Sequence, residues 1–296
     1  MTYDPPPFKP VSVNYHFSRR CNYNCRFCFH SAKSSDVLDL SEAKRGLKLL
    51  FEAGMEKLNI CGGEPLLYPL FAGELARFCK VDLALPSVSI VTNGSRLTDS
   101  WMREYAEYVD IIAVSCDSFD DDTNVHIGRS KNQRQNAYKV SELCKQYGCR
   151  FKLNTVVCTL NVGEDMNSHI AALNPCRWKV FQCLLLEGEN TGKSALKNAE
   201  DMVVSSSQFN SFILRHEEQS CLVPESNETM QNSYLILDEH MSFLNCEGGS
   251  KQPSKSILEV GVAQALRESG FDQSSFVSRG GVYNWTKADS PYSIDW

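Results

Sequence analysis

Apolar and polar positions follow two different periods in the first part of the chain. Residues 11–17 alternate between apolar and polar types, which predicts a strand with Ser12, Asn14 and His16 on one face. Residues 41–54 have apolar residues at helical spacing, between a serine suited to an N-cap and a final glycine. The first two predicted elements are therefore a strand and a helix.

The same alternation of strands and helices continues to about residue 184. The further candidate strands are 57–60, 88–92, 111–115, 151–157 and 178–184. Helical patterns lie between them, near 70–79, 99–109, 134–147 and 164–173. Six strands that alternate with helices predict an α/β fold with a parallel sheet, either doubly wound or rolled into a partial barrel. Such sheets bind their ligands at the carboxyl ends of the strands.

The pattern is less regular beyond about residue 190. A connecting segment to about 206 precedes a predicted helix near 207–216, and residues 233–246 have the pattern of a hairpin. We therefore expect three parts. They are an N-terminal extension over 1–10, a core domain over 11–190 and a C-terminal extension over 191–296.

Composition excludes several classes of protein. The chain has 296 residues, 42% of them hydrophobic, which is enough to bury a sizeable core. Its formal net charge of -6 argues against a globally basic nucleic-acid binder. No apolar run approaches the roughly 20 residues of a membrane span, and the first ten residues lack the apolar core of a signal peptide. We expect a soluble, cytoplasmic protein.

The 13 cysteines are unevenly distributed. Cys21, Cys25 and Cys28 fall within eight residues, directly after the first predicted strand. Three closely spaced thiolates are typical of an iron–sulfur cluster, in which one iron keeps open coordination sites, or of a zinc ion. A zinc site needs a fourth ligand, for which His30 is a candidate. The position of the motif after a strand of an α/β chain favours the cluster.

Polar and glycine-rich motifs follow the next three predicted strands. They are CGGEP at 61–65, TNGS at 92–95 and SCDS at 115–118. Glycines let the backbone approach a ligand closely, but each motif alone is as typical of a turn. Their order after the cysteine motif predicts one site at this edge of the sheet.

The segment CNYNCRFC, residues 21–28, resembles the cluster motif of the radical S-adenosylmethionine (SAM) superfamily. The resemblance implies a partial (β/α)6 TIM-type barrel with a C-terminal extension, and a [4Fe–4S] cluster held by Cys21, Cys25 and Cys28. It also implies that the open iron binds SAM, whose reductive cleavage gives a 5′-deoxyadenosyl radical. The SAM-binding residues that it implies are Phe27, Gly62, Gly63, Glu64, Pro65, Asn93 and Ser115.

Longer segments from residue 11 to residue 296 resemble the viperin family within that superfamily. They include VSVNYHFSRRCNYNCRFCFHSAK, SCDSFDDDTNVHIGR, EGEN, CLVPESN, FLNCEGG and RGGVYNWTKAD. The resemblance implies abstraction of the 4′ hydrogen of a pyrimidine nucleoside triphosphate and loss of its 3′ hydroxyl, a lyase-type dehydration. In the animal enzymes the substrate is CTP, and the product, 3′-deoxy-3′,4′-didehydro-CTP, is an antiviral chain terminator.

Charged residues within the predicted strands are candidate ligands for the triphosphate. Lys152 and Asn154 are two apart and share a strand face. Lys179 interrupts an apolar strand, where a cation is costly unless it meets an anion. Arg129 and Arg279 carry planar guanidinium groups that suit phosphate oxygens. The resemblance to viperins assigns the four cations to the triphosphate.

Five more residues complete the candidate nucleotide site. Arg177 is a weaker candidate for the triphosphate. The resemblance places Asn14 and Lys57 near the sugar and base, with Lys57 also a catalytic candidate, and the Gln182 amide is suited to a base edge. Tyr234 matches a tyrosine that delivers a proton or hydrogen late in the reaction, although a tyrosine in an apolar strand is as typical of a core.

Two features differ from the animal members of the family. Those enzymes carry an N-terminal amphipathic helix that lies on membranes, and the first residues here lack that pattern. We therefore expect a soluble enzyme, or a chain shortened at its start. Cys61 stands where serine is common in the family, and we interpret it as a packing residue because the three-cysteine motif is already complete.

The last residues suggest one protein partner. Asp295 and Trp296 resemble the viperin terminus that recruits the cytosolic iron–sulfur assembly machinery. Because Arg279 lies nearby in sequence, we also expect the tail to order over a bound nucleotide. No nucleic acid and no membrane is expected as a partner.

Two alternative functions stay open at this point. The same chemistry on UTP or another nucleoside triphosphate is one, because the pyrimidines differ only at the C4 edge. The other belongs to a different class, a zinc-binding antiviral protein that acts by binding partners.

Overall fold

A computed structural model describes residues 8–287 of the chain. Its main sheet has eight parallel strands in the order β7-β6-β5-β4-β3-β2-β1-β8, which curl into a partial barrel. The strands are β1 Ser12–His16, β2 Lys57–Cys61, β3 Ser87–Thr92, β4 Ile111–Ser115, β5 Arg150–Val157, β6 Arg177–Gln182, β7 Leu222–Glu225 and β8 Leu235–Leu237. The predicted α/β partial barrel is confirmed, with two strands more than the six expected.

Helices connect the strands, and the longer ones cover the outside of the sheet. They are α1 Leu40–Glu52, α2 Pro69–Val81, α3 Asp99–Tyr105, α4 Asp121–Ile127, α5 Gln133–Tyr147, α6 Asn167–Leu173, α7 Ser206–Arg215, α8 Asn227–Met230, α9 Ile257–Val260, α10 Val262–Arg267 and α11 Gln273–Ser278. None of the helices within 8–287 combines the length and the apolar character that crossing a bilayer requires.

The predicted cap of the first helix is wrong by two residues. The N-cap of α1 is Asp39, and Ser41 lies inside the helix. The predicted end is correct, because Gly54 follows the helix with a φ of 103°, in the left-handed region that favours glycine. A sequence pattern locates a helix better than it locates the cap.

The prediction of a hairpin over 233–246 is wrong in its pairing. Leu235 of β8 pairs in parallel with Val13 of β1, at the edge of the main sheet. Only one antiparallel bridge, between Leu237 and Phe243, remains of the hairpin. Strands β9 Leu244–Asn245 and β10 Gln252–Pro253 form a separate pair. The division of the chain at residue 190 stays a prediction, although β7 and β8 come from the C-terminal extension.

The two faces of the sheet have different characters. The outer face packs on the helices in the apolar core, which includes Val13 and Tyr15 of β1. The alternate residues Ser12, Asn14 and His16 line an internal cavity, as the period of two predicts. The polar positions of β1 are therefore directed into the barrel.

Candidate functional site

One cavity of about 650 Å³ occupies the interior of the partial barrel. Its wall contains almost all of the candidate residues. They are Asn14, Cys21, Cys25, Phe27, Cys28, Lys57, Gly62, Gly63, Asn93, Ser115, Arg129, Lys152, Asn154, Lys179, Gln182, Tyr234 and Arg279. The structure thus brings together residues that are up to 265 positions apart, as with Asn14 and Arg279 (279 minus 14).

The cysteine loop, residues 21–28, follows the carboxyl end of β1. The end of α4 holds it, because the N–H groups of Asn24 and Arg26 donate to the carbonyl oxygens of Gly128 and Ile127, each at 2.9 Å. Gly128 has a φ of 97°, and a Cβ there would lie 2.2 Å from the Asn24 carbonyl oxygen. Only glycine permits this close approach of the two backbones.

The three cysteines of this loop fit an iron–sulfur cluster by the chemistry of the donor set. Their thiols are free of disulfides and line the same cavity. Burial raises the pKa of the Cys25 thiol to about 12, so the thiolate needs a bound metal to stabilise it. Within residues 8–287, no three His, Cys, Asp or Glu side chains are close enough to hold a single metal ion.

The residues after the cysteine loop are fixed by buried ion pairs that the sequence did not reveal. The Glu189 carboxylate accepts from the Arg19 guanidinium at 3.0 Å and from the backbone N–H of Ser31 at 2.8 Å. The Lys251 ammonium lies 3.3 Å from Glu189 and 2.9 Å from Nδ1 of His30. His30 lines the cavity, but its Nδ1 is engaged by Lys251, and Glu189 explains part of the EGEN motif.

Gly62 and Gly63 bring the end of β2 against the segment that enters the cysteine loop. The N–H of Gly63 donates to the Ser18 carbonyl oxygen at 2.7 Å, and the N–H of Glu64 donates to that of Arg20 at 2.8 Å. A Cβ on Gly63 would lie 2.1 Å from the Arg20 carbonyl oxygen. The two glycines therefore hold two backbone segments together at the cavity wall.

Replacing Gly63 with alanine is expected to push these segments apart and weaken SAM binding. Overpacking of this kind costs about 1–3 kcal/mol, which corresponds to about 5- to 150-fold in affinity. Calorimetric titration of cluster-loaded protein with SAM checks the change. Gly163→Ala is the matched control, because a Cβ on Gly163 meets nothing within 4 Å. Equal SAM affinity of the two variants would contradict the role given to Gly63.

Glu64 and Pro65 differ in position from the other predicted SAM residues. The buried Glu64 carboxylate accepts from the Thr92 hydroxyl at 2.7 Å and from the backbone N–H of Asn93 at 2.7 Å. Neither Glu64 nor the buried Pro65 is in the cavity wall. Glu64 instead ties the end of β2 to the end of β3, so the geometry favours a role in placing Asn93 over a direct contact.

Arg129 lies at the cysteine end of the cavity, which does not favour its predicted role as a triphosphate ligand. Its side chain forms a buried ion pair with Asp117, and the Cys25 thiol is among the ionisable groups around it. The cations that surround Lys179 are Lys152, Arg177 and Arg279, without Arg129. The sequence shows that Arg129 carries a guanidinium group, but it does not show at which end of the cavity the fold places it.

The opposite end of the cavity carries the positive charge. Lys152 and Lys179 lie in the first halves of β5 and β6, and Arg279 follows α11. Within residues 8–287, no hydrogen-bond or ion-pair partner meets the Lys152 ammonium. Burial, and then the charge of Arg177, lowers the pKa of Lys152 to about 8. This cationic end, rather than the carboxyl ends of the strands, is where several cations together can neutralise a polyanion.

Lys57 belongs to the cationic end. It is the first residue of β2, and Cys61 is the last. A strand rises roughly 3.3 Å per residue, so the two lie about 13 Å apart along β2. Its ammonium donates to the Ser89 hydroxyl at 2.8 Å, and the rings of Tyr283 and Trp285 lie 5.6 and 5.4 Å away. This distance from the cysteine loop does not favour the predicted catalytic role of Lys57.

The three amide side chains predicted to bind the nucleotide differ in whether protein groups already occupy their hydrogen-bonding atoms. Oδ1 of Asn154 is buried without a partner within 8–287, so it is available to a ligand. The Asn14 amide donates to the Leu235 carbonyl oxygen at 3.1 Å. The Gln182 amide donates to the Val204 carbonyl oxygen at 3.0 Å and accepts from the N–H of Asn227 at 3.1 Å. Because both ends of Gln182 are engaged, its predicted reading of a base edge is not favoured.

Tyr234 lies at the cationic end beside a carboxylate that sequence reasoning missed. Its hydroxyl donates to Glu225 and accepts from the Lys179 ammonium at 2.8 Å. Burial, and then the charge of Glu225, raises the pKa of Tyr234 well above its usual value. Glu225 stands in an apolar strand, the same signal that identified Lys179.

Asp295 and Trp296, the predicted partner-binding residues, lie outside the described residues.

Comparisons with known proteins identify the family of this chain. Residues 15–171 match the model of the Radical SAM superfamily. The chain is 58% identical over 285 residues to the S-adenosylmethionine-dependent nucleotide dehydratase RSAD2 of Siniperca chuatsi, covering 95% of this chain and 80% of the relative. It is 56% identical to that of Danio rerio, with 97% and 81% covered. It is 36% identical to the S-adenosylmethionine-dependent nucleotide dehydratase of Flammeovirga pacifica, with 93% and 96% covered.

A solved structure shares the fold at low sequence identity. Native anSMEcpe with bound AdoMet superposes with a TM-score of 0.65 at 14% identity, covering 91% of this chain and 82% of that chain. At this identity, the likeness supports the architecture alone.

Proposed function

Because this chain belongs to the radical SAM superfamily, and within it to the viperin-type nucleotide dehydratases, we propose that it converts CTP to 3′-deoxy-3′,4′-didehydro-CTP. Its cofactors are a [4Fe–4S] cluster and SAM. When bound and reduced, they supply the 5′-deoxyadenosyl radical that takes the 4′ hydrogen of the nucleotide. The 3′ hydroxyl then leaves as water after taking up one proton, and one further electron from the external reductant completes the 3′,4′ double bond, so the product is lighter than CTP by one water.

The separation of two chemistries in one cavity carries this proposal. Three free thiols lie at one end, and Lys57, Lys152, Lys179 and Arg279 line the other. A nucleoside triphosphate matches such a cavity, because its sugar lies between a polyanion and a base. The cations neutralise the phosphates and fix the sugar between the two ends.

The chain's own residues divide the remaining work. Lys152 offers an ammonium without a protein partner, and Asn154 offers a buried amide oxygen without one within 8–287. We assign Lys152, Lys179 and Arg279 to the phosphates, and Arg129 to the carboxylate of SAM at the cysteine end. Tyr234 holds a proton at its hydroxyl beside the site.

An anaerobic assay tests the proposal. Cluster-loaded protein is given dithionite, SAM and one of CTP, UTP, ATP or GTP, and 5′-deoxyadenosine and nucleotide mass are measured. We expect CTP to give 5′-deoxyadenosine together with a triphosphate lighter by one water. Preference for UTP would change the substrate and keep the chemistry, whereas no nucleotide dependence would contradict the proposal. Zinc in place of iron and sulfide would instead support an interaction protein.

The affinity for CTP is expected to fall as the pH rises above 8. Lys152, with a pKa of about 8, is an ammonium below that pH and neutral above it. A bound triphosphate stabilises the ammonium and raises its pKa. At a pH between the pKa of Lys152 in the free protein and its pKa in the complex, binding is therefore accompanied by uptake of a proton. Titration of CTP from about pH 7 to about pH 9.5 measures the slope. Lys152→Met is expected to lose most of it, and an unchanged slope in that variant would assign the titration to another group.

We also place the enzyme in the cytoplasm, with the iron–sulfur assembly machinery as a partner that recognises Trp296. The support is the resemblance of the last two residues to the viperin terminus. Trp296→Ala is expected to lower the iron content of protein purified from cells, while reconstitution in vitro restores full activity. Equal iron content of the two proteins as purified would contradict recruitment through Trp296.

A further inference from the structure

We propose that Glu225 is a positioning residue that supplies, from outside the cavity wall, the negative counter-charge of the phosphate-binding cations in the free enzyme. Its carboxylate holds Lys179 and Arg279 toward the cavity and fixes the hydroxyl of Tyr234. This inference rests on the proposed function, because it concerns the cationic end of the same cavity.

The contacts of Glu225 converge from three separate segments. Oε1 accepts from the Lys179 ammonium on β6 and from the Arg279 guanidinium after α11, the latter at 3.3 Å. Oε2 accepts from the hydroxyl of Tyr234, which directly precedes β8. The Lys179 ammonium also lies 2.8 Å from that hydroxyl. One carboxylate thus connects two candidate phosphate ligands and the candidate proton donor.

The same groups are locked in place by packing. The guanidinium carbon of Arg279 lies 3.8 Å from the centre of the Tyr234 ring, a cation–π contact. Two nitrogens of the Arg279 guanidinium donate to the carbonyl oxygen of Ser233, at 3.2 and 2.8 Å. Side chains held this firmly are pre-organised for a ligand.

The electrostatics explain why a carboxylate is needed here. Glu225 is fully buried, and the side chains of Lys179 and Arg279 are only 5% and 4% exposed. The surrounding charges of Lys152 and Arg177 are also positive. Uncompensated buried cations repel each other and destabilise the fold. Attraction to Lys179 and Arg279 lowers the pKa of Glu225 against the opposing effect of burial, so the carboxylate stays charged.

Removing this negative charge has opposite consequences for the free and the bound protein. In Glu225→Gln, the free protein keeps its cations without a counter-anion and is destabilised. A bound polyanion supplies the missing negative charge. The variant is therefore expected to bind a polyanion more tightly than the wild type and to gain more stability from it.

Inorganic tripolyphosphate is the probe for this expectation, used with the full, cluster-loaded chain. We expect Glu225→Gln to bind it about tenfold more tightly and to show a larger rise in melting temperature on its addition. Glu225→Asp keeps the charge and is expected to bind tripolyphosphate like the wild type. It separates the effect of the lost charge from the effect of changing the side chain at this buried position. Glu164→Gln is the matched control, because the Glu164 carboxylate bonds Ser118 and Phe119 outside the cavity wall.

The number of product molecules formed per 5′-deoxyadenosine gives a second readout that a purely structural role would not move. In Glu225→Gln the Tyr234 hydroxyl loses its charged acceptor, so we expect this ratio to fall in that variant and to recover in part in Glu225→Asp. An unchanged ratio, or tripolyphosphate binding no tighter than in the wild type, would overturn the inference. If the wild type binds tripolyphosphate but converts no nucleotide, the proposed function fails instead.

Discussion

Cys25→Ser is expected to lose the [4Fe–4S] cluster and to cleave SAM more than about 100-fold more slowly. Three thiolates hold the cluster in the proposed site, and a serine hydroxyl is a poor substitute for a soft thiolate ligand. Cys25 lies in the loop that the end of α4 anchors, so its neighbours do not reposition to replace it. Iron and sulfide content after reconstitution and the rate of 5′-deoxyadenosine formation measure the loss.

The control for this variant is another cysteine of the same cavity. Cys61 lines the wall, and its thiol lies 3.3 Å from the Asn59 carbonyl oxygen. Cys61→Ser is expected to keep its iron, because the three-cysteine motif stays intact. Loss of iron from Cys61→Ser, or retention of a full cluster by Cys25→Ser, would mean that the ligands are assigned wrongly.

Lys152→Met is expected to raise the dissociation constant for CTP by about 10- to 150-fold. A hydrogen bond to a charged group contributes about 1.5–3 kcal/mol, and each 1.4 kcal/mol is about tenfold in affinity. Within 8–287 the Lys152 ammonium has no protein partner, so methionine leaves no carboxylate unpaired and the change reports the phosphate contact. Equilibrium binding of CTP to cluster-loaded protein gives the value.

Replacing an exposed lysine distinguishes the effect of losing a local phosphate contact from the effect of changing the net charge. The Lys48 side chain is 64% exposed on α1, and Lys48→Met makes the same change in net charge. We expect that variant to bind CTP like the wild type, since exposed charges are screened by salt. SAM affinity should be unchanged in both variants. Equal CTP affinity of Lys152→Met and the wild type would remove Lys152 from the triphosphate site.

Much of the fold follows from local patterns in the sequence. The alternation in residues 11–17 correctly predicts which side chains of β1 are directed into the barrel, and the predicted strand 111–115 matches β4. β7 and β8 have four and three residues, too few for periodicity to identify. The pairing of β8 with β1 joins residues more than 200 positions apart, which no local pattern reports.

The site divides in a similar way. The cysteine motif and the glycines are recognisable because their chemistry depends on local spacing. Lys179 is recognisable because a cation in an apolar strand needs an anion. An anion in an apolar strand likewise needs a cation, so the same reasoning could have identified Glu225. The engagement of Gln182 with Val204 and Asn227 depends on tertiary contacts alone. Sequence identifies a side chain and its face, but not the groups that already satisfy it.

Transfer of deuterium from CTP labelled at C4′ tests the proposed chemistry most directly. Cluster-loaded protein is incubated anaerobically with dithionite, SAM and the labelled nucleotide, and the masses of 5′-deoxyadenosine and the nucleotide product are measured. We predict that 5′-deoxyadenosine gains one deuterium while the product loses that deuterium and the elements of the 3′ hydroxyl. Unlabelled 5′-deoxyadenosine, formed at the same rate with and without CTP, would contradict the proposed function.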